Sequence, residues 1–378
     1  MAKELITMTQ KELSRYEIIK RLIRKEINGS EAAKQIGLSV RQTKRLKTKV
    51  IKEGSNGIIH RSRNKKGNSN RRMSEKKIER IKKIIKEKYY DFGPTLTKEK
   101  LEENHQIKIG KETLRLLMIE WRLWKSKSRK NNKEYRSWRP RKEYYGEMEQ
   151  FDGSYHCWFE TRAKSCCLLA SIDDATSQIT KLKFVDWEGV RPAFIFWKEY
   201  IGTQGKPINI YLDRHSTYKQ NQKSIFDDPN ILTQFERAMK NLDVKIIHAY
   251  SPQSKGRVER LFGTLQDRLV KELRLAGISN KEEANRFVEE IFIPKFNQKF
   301  GVQAQNKRNL HGPLNKLEKE NLEKIFSVQN IRTVNNDFTV RYKGRWFQLL
   351  EIQPTLVLRK DKVLIEERIS REIFISLL

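Results

Sequence analysis

The first 124 residues carry apolar positions at helical spacing in polar, basic surroundings. Leu13, Ile18, Ile19, Leu22, Ile23 and Ile27 predict a helix over 11–27. Ser30 as N-cap, Gly37 as turn and Ser39 as a second N-cap predict two further helices, the second burying Val40, Leu46 and Val50. A helix from Ser74 sets Ile78, Ile81, Ile84 and Ile85 on one face. Thr97 is expected to cap a short helix containing Leu101, and 111–121 forms the next. The stretches 60–72 and 125–142 are polar and basic, with almost nothing to bury.

The pattern changes near residue 145. Strand-like runs at 148–156, 165–173 and 178–185 precede a helix with Ala193, Phe194, Phe196, Trp197 and Tyr200. Then come a strand ending at Asp213, a helix near 231–241, a strand over 244–250 and a long helix from about 255. Three strands, helix, strand, helix, strand, helix is the order of a ribonuclease-H-like α/β fold. Past 276 the chain reads as helical and charged. From 332 strands alternate with turn signals, with another hairpin over 355–365 and a last strand at 372–376, a small barrel-like β domain.

Charge says what such a chain meets. Seventy-nine basic residues against 47 acidic ones leave a formal charge of +32, spread along all 378 residues. A field of that size attracts polyanions. Nucleic acid is the favoured partner, a membrane surface the weaker one. No apolar run is long enough to span a bilayer, and the N-terminus lacks the apolar core of a signal peptide. Cys157, Cys166 and Cys167 form no disulfide framework and fit a reducing compartment, so the expected location is cytoplasmic. Six histidines and three cysteines show no zinc-ligand spacing.

With that charge, the reading is multidomain. A helix-turn-helix DNA-binding domain occupies 1–59, a basic linker 60–73, a second helical DNA-binding domain 74–124 and a basic connector 125–144. The ribonuclease-H-like catalytic domain covers 145–276, a helical connector 277–327 and a small β-barrel 328–378. Arg41, Gln42, Lys44, Arg45 and Lys47 suit a recognition helix in the major groove, and Lys111 and Arg115 sit correspondingly in the second helical domain.

Three acids carry the chemistry. Asp152 lies in the first strand of the central unit, Asp213 ends the fourth, and Glu259 opens the helix after the fifth. On that helix Val258, Leu261, Phe262, Leu265 and Leu269 define a buried face, and Glu259 falls about a quarter turn from its centre. Gly256 and Gly263 flank Glu259 at i−3 and i+4 and leave space beside it. Lys255, Arg257 and Arg260, with Arg268 and Lys271 further on, offer phosphate contacts. Clustered carboxylates repel, and divalent cations with oxygen ligands relieve that repulsion. Two such ions activate a water or a 3′-hydroxyl and stabilise the leaving oxygen, with no covalent protein–DNA intermediate. Asp173, Asp174, Asp227 and Asp228 read instead as turn or helix caps.

At these residues the chain resembles a known family. Gln150-Phe-Asp-Gly-Ser, Ile172-Asp-Asp-Ala-Thr-Ser, Tyr211-Leu-Asp-Arg-His and Ser251-Pro-Gln-Ser-Lys-Gly-Arg-Val-Glu-Arg match the pattern of DDE transposases of insertion sequences, with an integrase-type core. The likeness is greatest to the ISNCY group and covers essentially the whole chain. It implies Asp152, Asp213 and Glu259 as ligands of Mg2+ (Mn2+ as substitute), with a pair of ions expected. It also implies double-stranded DNA as partner, both terminal inverted repeats and target. Hydrolysis frees 3′ ends, strand transfer joins them, and a homodimer or higher homo-oligomer holds the two ends together. One departure is the interval from Asp213 to Glu259, 259 − 213 = 46 positions, longer than in integrase cores; the extra segment reads as an inserted loop near 219–233. The alternatives from other classes are a DNA-binding regulator with an inactive core and a nuclease of the same fold that only hydrolyses.

Overall fold

A computed structural model describes residues 7–59, 73–126, 140–213, 229–249 and 256–378, with backbone alone at 213, 229–233 and 249. The chain divides into two units, Met1–Ser126 and Lys127–Leu378.

The first unit is helical. Helix α1 (Gln10–Ile23), α2 (Gly29–Ile36) and α3 (Val40–Glu53) bury Ile19, Leu22, Ala32, Ile36 and Val50 together. Gly37, at φ 72°, makes the left-handed turn between α2 and α3, where a Cβ is disfavoured. Two local expectations shift. Asn28, not Ser30, caps α2, because its side chain reaches the amides of both Ser30 and Glu31. Ser39 does cap α3, but Val40 is exposed and Thr43 takes the inner position. Helices α4 (Glu75–Lys88), α5 (Pro94–His105) and α6 (Lys111–Glu120) form a second cluster around Ile81, Ile85, Leu101, Leu114 and Met118. Helix α5 begins at Pro94, so Thr97 is a buried interior residue whose hydroxyl donates to the Gly93 carbonyl rather than a cap.

The second unit is organised by a five-stranded mixed sheet. Strand β1 (Tyr144–Tyr145) lies outside it. Strands β2 (Met148–His156), β3 (Cys166–Asp173) and β4 (Ile179–Val185) pair antiparallel in succession. Helix α7 (Val190–Gln204) leads to β5 (Asn209–Asp213), which runs parallel to β2 on its other side. Helix α8 (Pro229–Lys240) leads to β6 (Lys245–Ala249), parallel to β5. The strand order is β4-β3-β2-β5-β6, and the element order expected for the central unit is the one observed.

Alternation along the strands divides the core in two. Phe151, Leu169, Ile210 and Leu212 pack on α7 and α8 through Phe194, Trp197, Phe235 and Ala238. On the other face Leu168, Ala170, Ile172 and Leu182 meet α9 (Gly256–Leu275) and α10 (Lys281–Phe287). A π-helical turn, 288–292, joins α10 to α11 (Ile293–Phe300) and adds Val288, Phe292 and Phe296 to that core.

Strand β7 (Asn306–Asn309) pairs with β1. After two short helices come β8 (Val328–Thr333), β9 (Thr339–Tyr342), β10 (Arg345–Gln348), β11 (Lys362–Glu367) and β12 (Ile373–Leu377). The expected barrel is not closed among the described residues. Strands β9 and β10 form a hairpin, and β12-β11-β8 form a separate sheet. The hairpin expected over 355–365 supplies β11 alone. Pro354 has no amide to pair, and Leu350, Ile352, Leu356 and Leu358 are exposed instead of packed.

Candidate active site

Alternation along β2 sends Gln150, Asp152 and Ser154 to one side of the sheet. The contacts identify that side as the α9 side. The amide of Val258 donates to Gln150 Oε1 at 3.3 Å, and Gln266 Nε2 donates to Ser154 Oγ at 3.2 Å. Asp152 is half-buried between these two ties, opposite the 258–266 stretch of α9.

Helix α9 behaves as its periodicity predicts. Val258, Leu261, Phe262, Leu265 and Leu269 are all buried against the sheet, and Glu259 is exposed in the first turn. A Cβ built on Gly263 meets nothing within 4 Å, and one on Gly256 meets only Arg260 Nη2 at 3.9 Å. The chain itself therefore gives neither position a steric reason to be glycine. Glycine inside a helix costs about 1 kcal/mol relative to alanine.

The start of α9 is bolted to the sheet by a network that sequence reasoning missed. Asp174, fully buried, accepts from Arg257 Nη1 at 2.5 Å, from Gln150 Nε2 at 2.6 Å and from the Lys142 amide at 2.9 Å. Asp174 is thus an anchor for α9 and not a turn cap. Arg257, expected as a phosphate contact, is taken up by this ion pair, with a side chain only 12% exposed. The available signal was Gln150 at i−2 from Asp152, the spacing that puts both on one face of a strand.

Asp213 enters through backbone register. Parallel pairing of β2 with β5 matches Met148 to Asn209, Glu149 to Ile210 and Gln150 to Tyr211. The pairing ends there; carried two residues further along both strands, its register would bring Asp152 level with Asp213, which itself pairs with Ala249 of β6. Among the described residues no group of three or more His, Cys, Asp or Glu is placed to hold a metal ion; the Asp213 side chain is outside that description.

Other buried acids sit close by on the opposite side of β2. Burial first, and then the charge of Asp173, pushes the Glu149 carboxyl up to about 8. The hydroxyls of Ser171 (2.5 Å) and Thr180 (2.6 Å) donate to Glu149. Burial also raises Asp173, which accepts from the Gly146 and Thr176 amides.

The expected DNA-contacting side chains fare differently. Arg41, Lys44 and Arg45 are exposed on α3. Gln42 is occupied in the capping box with Ser39, and Lys47 Nζ reaches the Leu22 carbonyl at 3.4 Å. On α6 Lys111 is exposed, whereas Arg115 forms a two-pronged ion pair with Glu112 at 2.6 and 2.9 Å. Arg260 is exposed but turns back onto the Gly256 carbonyl. Further along α9, Arg268 pairs with Glu272 and Lys271 with Asp267, so that flank is largely internally compensated. Lys255, Asp227, Asp228, most of the proposed insertion and the 60–72 linker lie outside the described residues. The three cysteines are free, with Cys166 and Cys167 buried in β3. No helix among the described residues is long and apolar enough to cross a membrane.

No family model matches the chain. Two curated proteins do. One, named "Putative transposase y4bF", from Sinorhizobium fredii, is 36% identical over 351 residues, covering 93% of this chain and 75% of the relative. The transposase for insertion sequence IS1202 of Streptococcus pneumoniae is 27% identical over 406 residues, covering 97% of this chain and 84% of the relative. Among solved structures, a chain of a simian T-cell lymphotropic virus intasome aligns with 75% of this chain and 96% of its own length, at 15% identity and a TM-score of 0.35. The HTLV-2 integrase catalytic core, in a dimeric form with magnesium, aligns with 45% of this chain and 98% of its own, at 15% identity and a TM-score of 0.31. Scores so low bear on neither fold nor function. The sequence relatives do, since one exceeds a third identity across nearly the whole chain, and the chain belongs to the transposases of bacterial insertion sequences.

Proposed function

We propose that this transposase binds the terminal inverted repeats of its element, cleaves to free 3′-hydroxyl ends and joins them to target DNA, with Asp152, Asp213 and Glu259 as its metal-binding acids. The observation that carries this reading is the placement of Asp152 between the Gln150–Val258 and Ser154–Gln266 ties, level with Asp213 when the β2–β5 register is carried on, and opposite the turn that bears Glu259. The donor set fits a hard divalent cation, because all three residues offer carboxylate oxygen. The open flank at Gly263 fits an incoming phosphodiester.

These acids would hold Mg2+, or Mn2+ in its place, as a pair of ions, whose chemistry would be activation of the attacking oxygen and stabilisation of the leaving one. The protein's own part is positioning. Strand β2, central in the sheet, holds Asp152. The bolt from Asp174 and Gln150 fixes the first turn of α9, and hence the backbone from which Glu259 projects. The exposed bases of α3, with Lys111 on α6, would lie against DNA, in keeping with helix-turn-helix recognition of the element ends. Pairing of two ends implies a homodimer or larger homo-oligomer.

The test is strand transfer by the full-length protein. The substrate is a duplex bearing the inverted repeats that flank the coding region, with a supercoiled plasmid as target. Joined products that need Mg2+ and vanish with EDTA are expected. Nicks without joining would point to hydrolysis alone, and specific binding without nicks to a regulator.

A further inference from the structure

Between the start of α7 and the C-terminal β strands lies a cleft of about 660 Å³. Both walls are fixed. Arg237 of α8 donates to the carbonyls of Ile325 (3.1 Å) and Ser327 (2.5 Å), and the side chain of Gln234 exchanges two hydrogen bonds with the Gln329 backbone. Phe326 is buried edge-on against Phe194 of α7 at 5.6 Å. The floor is apolar: Val328 and Ile369 are half-buried at its surface, backed by the fully buried Phe194 and Phe326. The rim is cationic: Arg191, Lys343, Arg345 and Arg371 are exposed beside one carboxylate, Glu367, while Arg368 lies over the Phe374 ring. That carboxylate is already bonded to Lys343 at 2.5 Å and Tyr342 at 2.9 Å. At the mouth stands Trp187, 63% exposed.

We propose that this cleft receives an unpaired nucleotide of a DNA strand, its base on the apolar floor and the Trp187 indole, its phosphates on the arginines of the rim. This rests on the reading that the chain handles DNA. The chemistry selects the ligand within that reading. A positive rim complements phosphate, whereas an apolar floor with an exposed indole beside it complements a base face. A base-paired duplex offers the rim its phosphates but has no free base for the floor. The cleft is separate from the elements that carry Asp152, Asp213 and Glu259, which are β2, β5 and α9.

The experiment uses the full-length protein in EDTA, so that binding is read without cleavage. The probes are a single-stranded oligothymidylate carrying 5-bromodeoxyuridine, a duplex of equal length, and inorganic phosphate. Ultraviolet crosslinking is expected to attach the single strand to the peptide containing Trp187. Trp187→Ala should weaken single-strand binding about tenfold, a typical effect for one stacked base, and leave duplex binding unchanged. Arg345→Gln should weaken single-strand binding and lower its salt slope by about 0.7, the contribution of one single-strand phosphate. Crosslinks confined to other peptides would overturn the proposal. So would equal weakening on duplex and single strand, or displacement of the strand by inorganic phosphate at equal concentration, which would leave only a phosphate site. Crosslinking at Trp187 in a protein that never joins DNA ends keeps the cleft and removes the strand-transfer reading. Joining of ends with crosslinks elsewhere does the reverse.

Discussion

The backbone amide of Val258 donates to the side chain of Gln150, 108 positions earlier in the chain. Gln150 is two residues before Asp152, and Val258 is the residue before Glu259. One side chain therefore ties together the two elements that bear these acids. Gln150→Ala should cost about 1–3 kcal/mol of unfolding free energy, as expected for stranding buried partners. Metal-dependent nicking should fall by about 10–100-fold, the range for residues that support a metal site. Urea unfolding and a nicking assay measure the two; full nicking at unchanged duplex affinity would remove Gln150 from any positioning role.

Asp152→Asn, Asp213→Asn and Glu259→Gln should each reduce nicking and strand transfer by more than about 100-fold, beyond what a supporting residue accounts for. Duplex binding should persist, because none of these changes removes a cation. Gel-shift and strand-transfer assays on the three variants read this directly, and any one variant that joins ends at the wild-type rate is not a ligand.

Gly263→Ala separates stability from use. The new methyl meets nothing within 4 Å. Helix propensity should therefore raise stability by about 0.5–1 kcal/mol. If DNA approaches along the Glu259 flank, cleavage should nevertheless fall about tenfold, as for a small misplacement at a reacting centre. A variant that is both more stable and fully active would show that this flank stays empty during the reaction.

The exposed cations of α3 predict a salt signature. Replacing Arg41, Lys44 and Arg45 with glutamine should flatten the log–log dependence of end binding on salt by about 0.9 for each phosphate no longer neutralised. Preference for the element ends over random duplex should decline in the same variant. Retained preference with an unchanged slope would locate recognition elsewhere.

Glu149 predicts how stability depends on pH. Its folded-state value, pushed up to about 8, lies above the ordinary 4.5, so the folded chain keeps a proton that the unfolded chain gives up. This group's contribution is fully present below about 4.5 and is lost as pH rises towards 8. Asp173, Tyr145 and Tyr200 share its surroundings and are themselves raised, chiefly by burial. Glu149→Gln keeps the shape and removes the titration, so its advantage over wild type should grow between about pH 5 and 8. Parallel unfolding profiles for the two proteins would rule this out.

The central sheet was legible because its apolar runs are long and its strands alternate. Strand β2 falls on the expected 148–156, and α9 buries the five residues that its periodicity names. Helix starts were less legible where two capping residues compete. Asn28 outreaches Ser30, and Pro94 sets the start of α5 ahead of Thr97. Least legible was Asp174, whose local surroundings suggest a turn. Its role comes from Arg257, 83 positions away, and no local pattern encodes a pairing across that distance. The C-terminal strands were visible as strands, but barrel closure depends on edge pairing, which alternation does not specify.

The same long-range pairing has a consequence for when the enzyme becomes competent. The α3 surface matures from contacts close in sequence, so its exposed cations can be in place early in synthesis. The first turn of α9 settles only after Asp174 and Gln150 have found partners more than eighty positions downstream. On the proposed function, a half-made copy would meet DNA before the turn that bears Glu259 is in place, and cutting would wait for the complete fold.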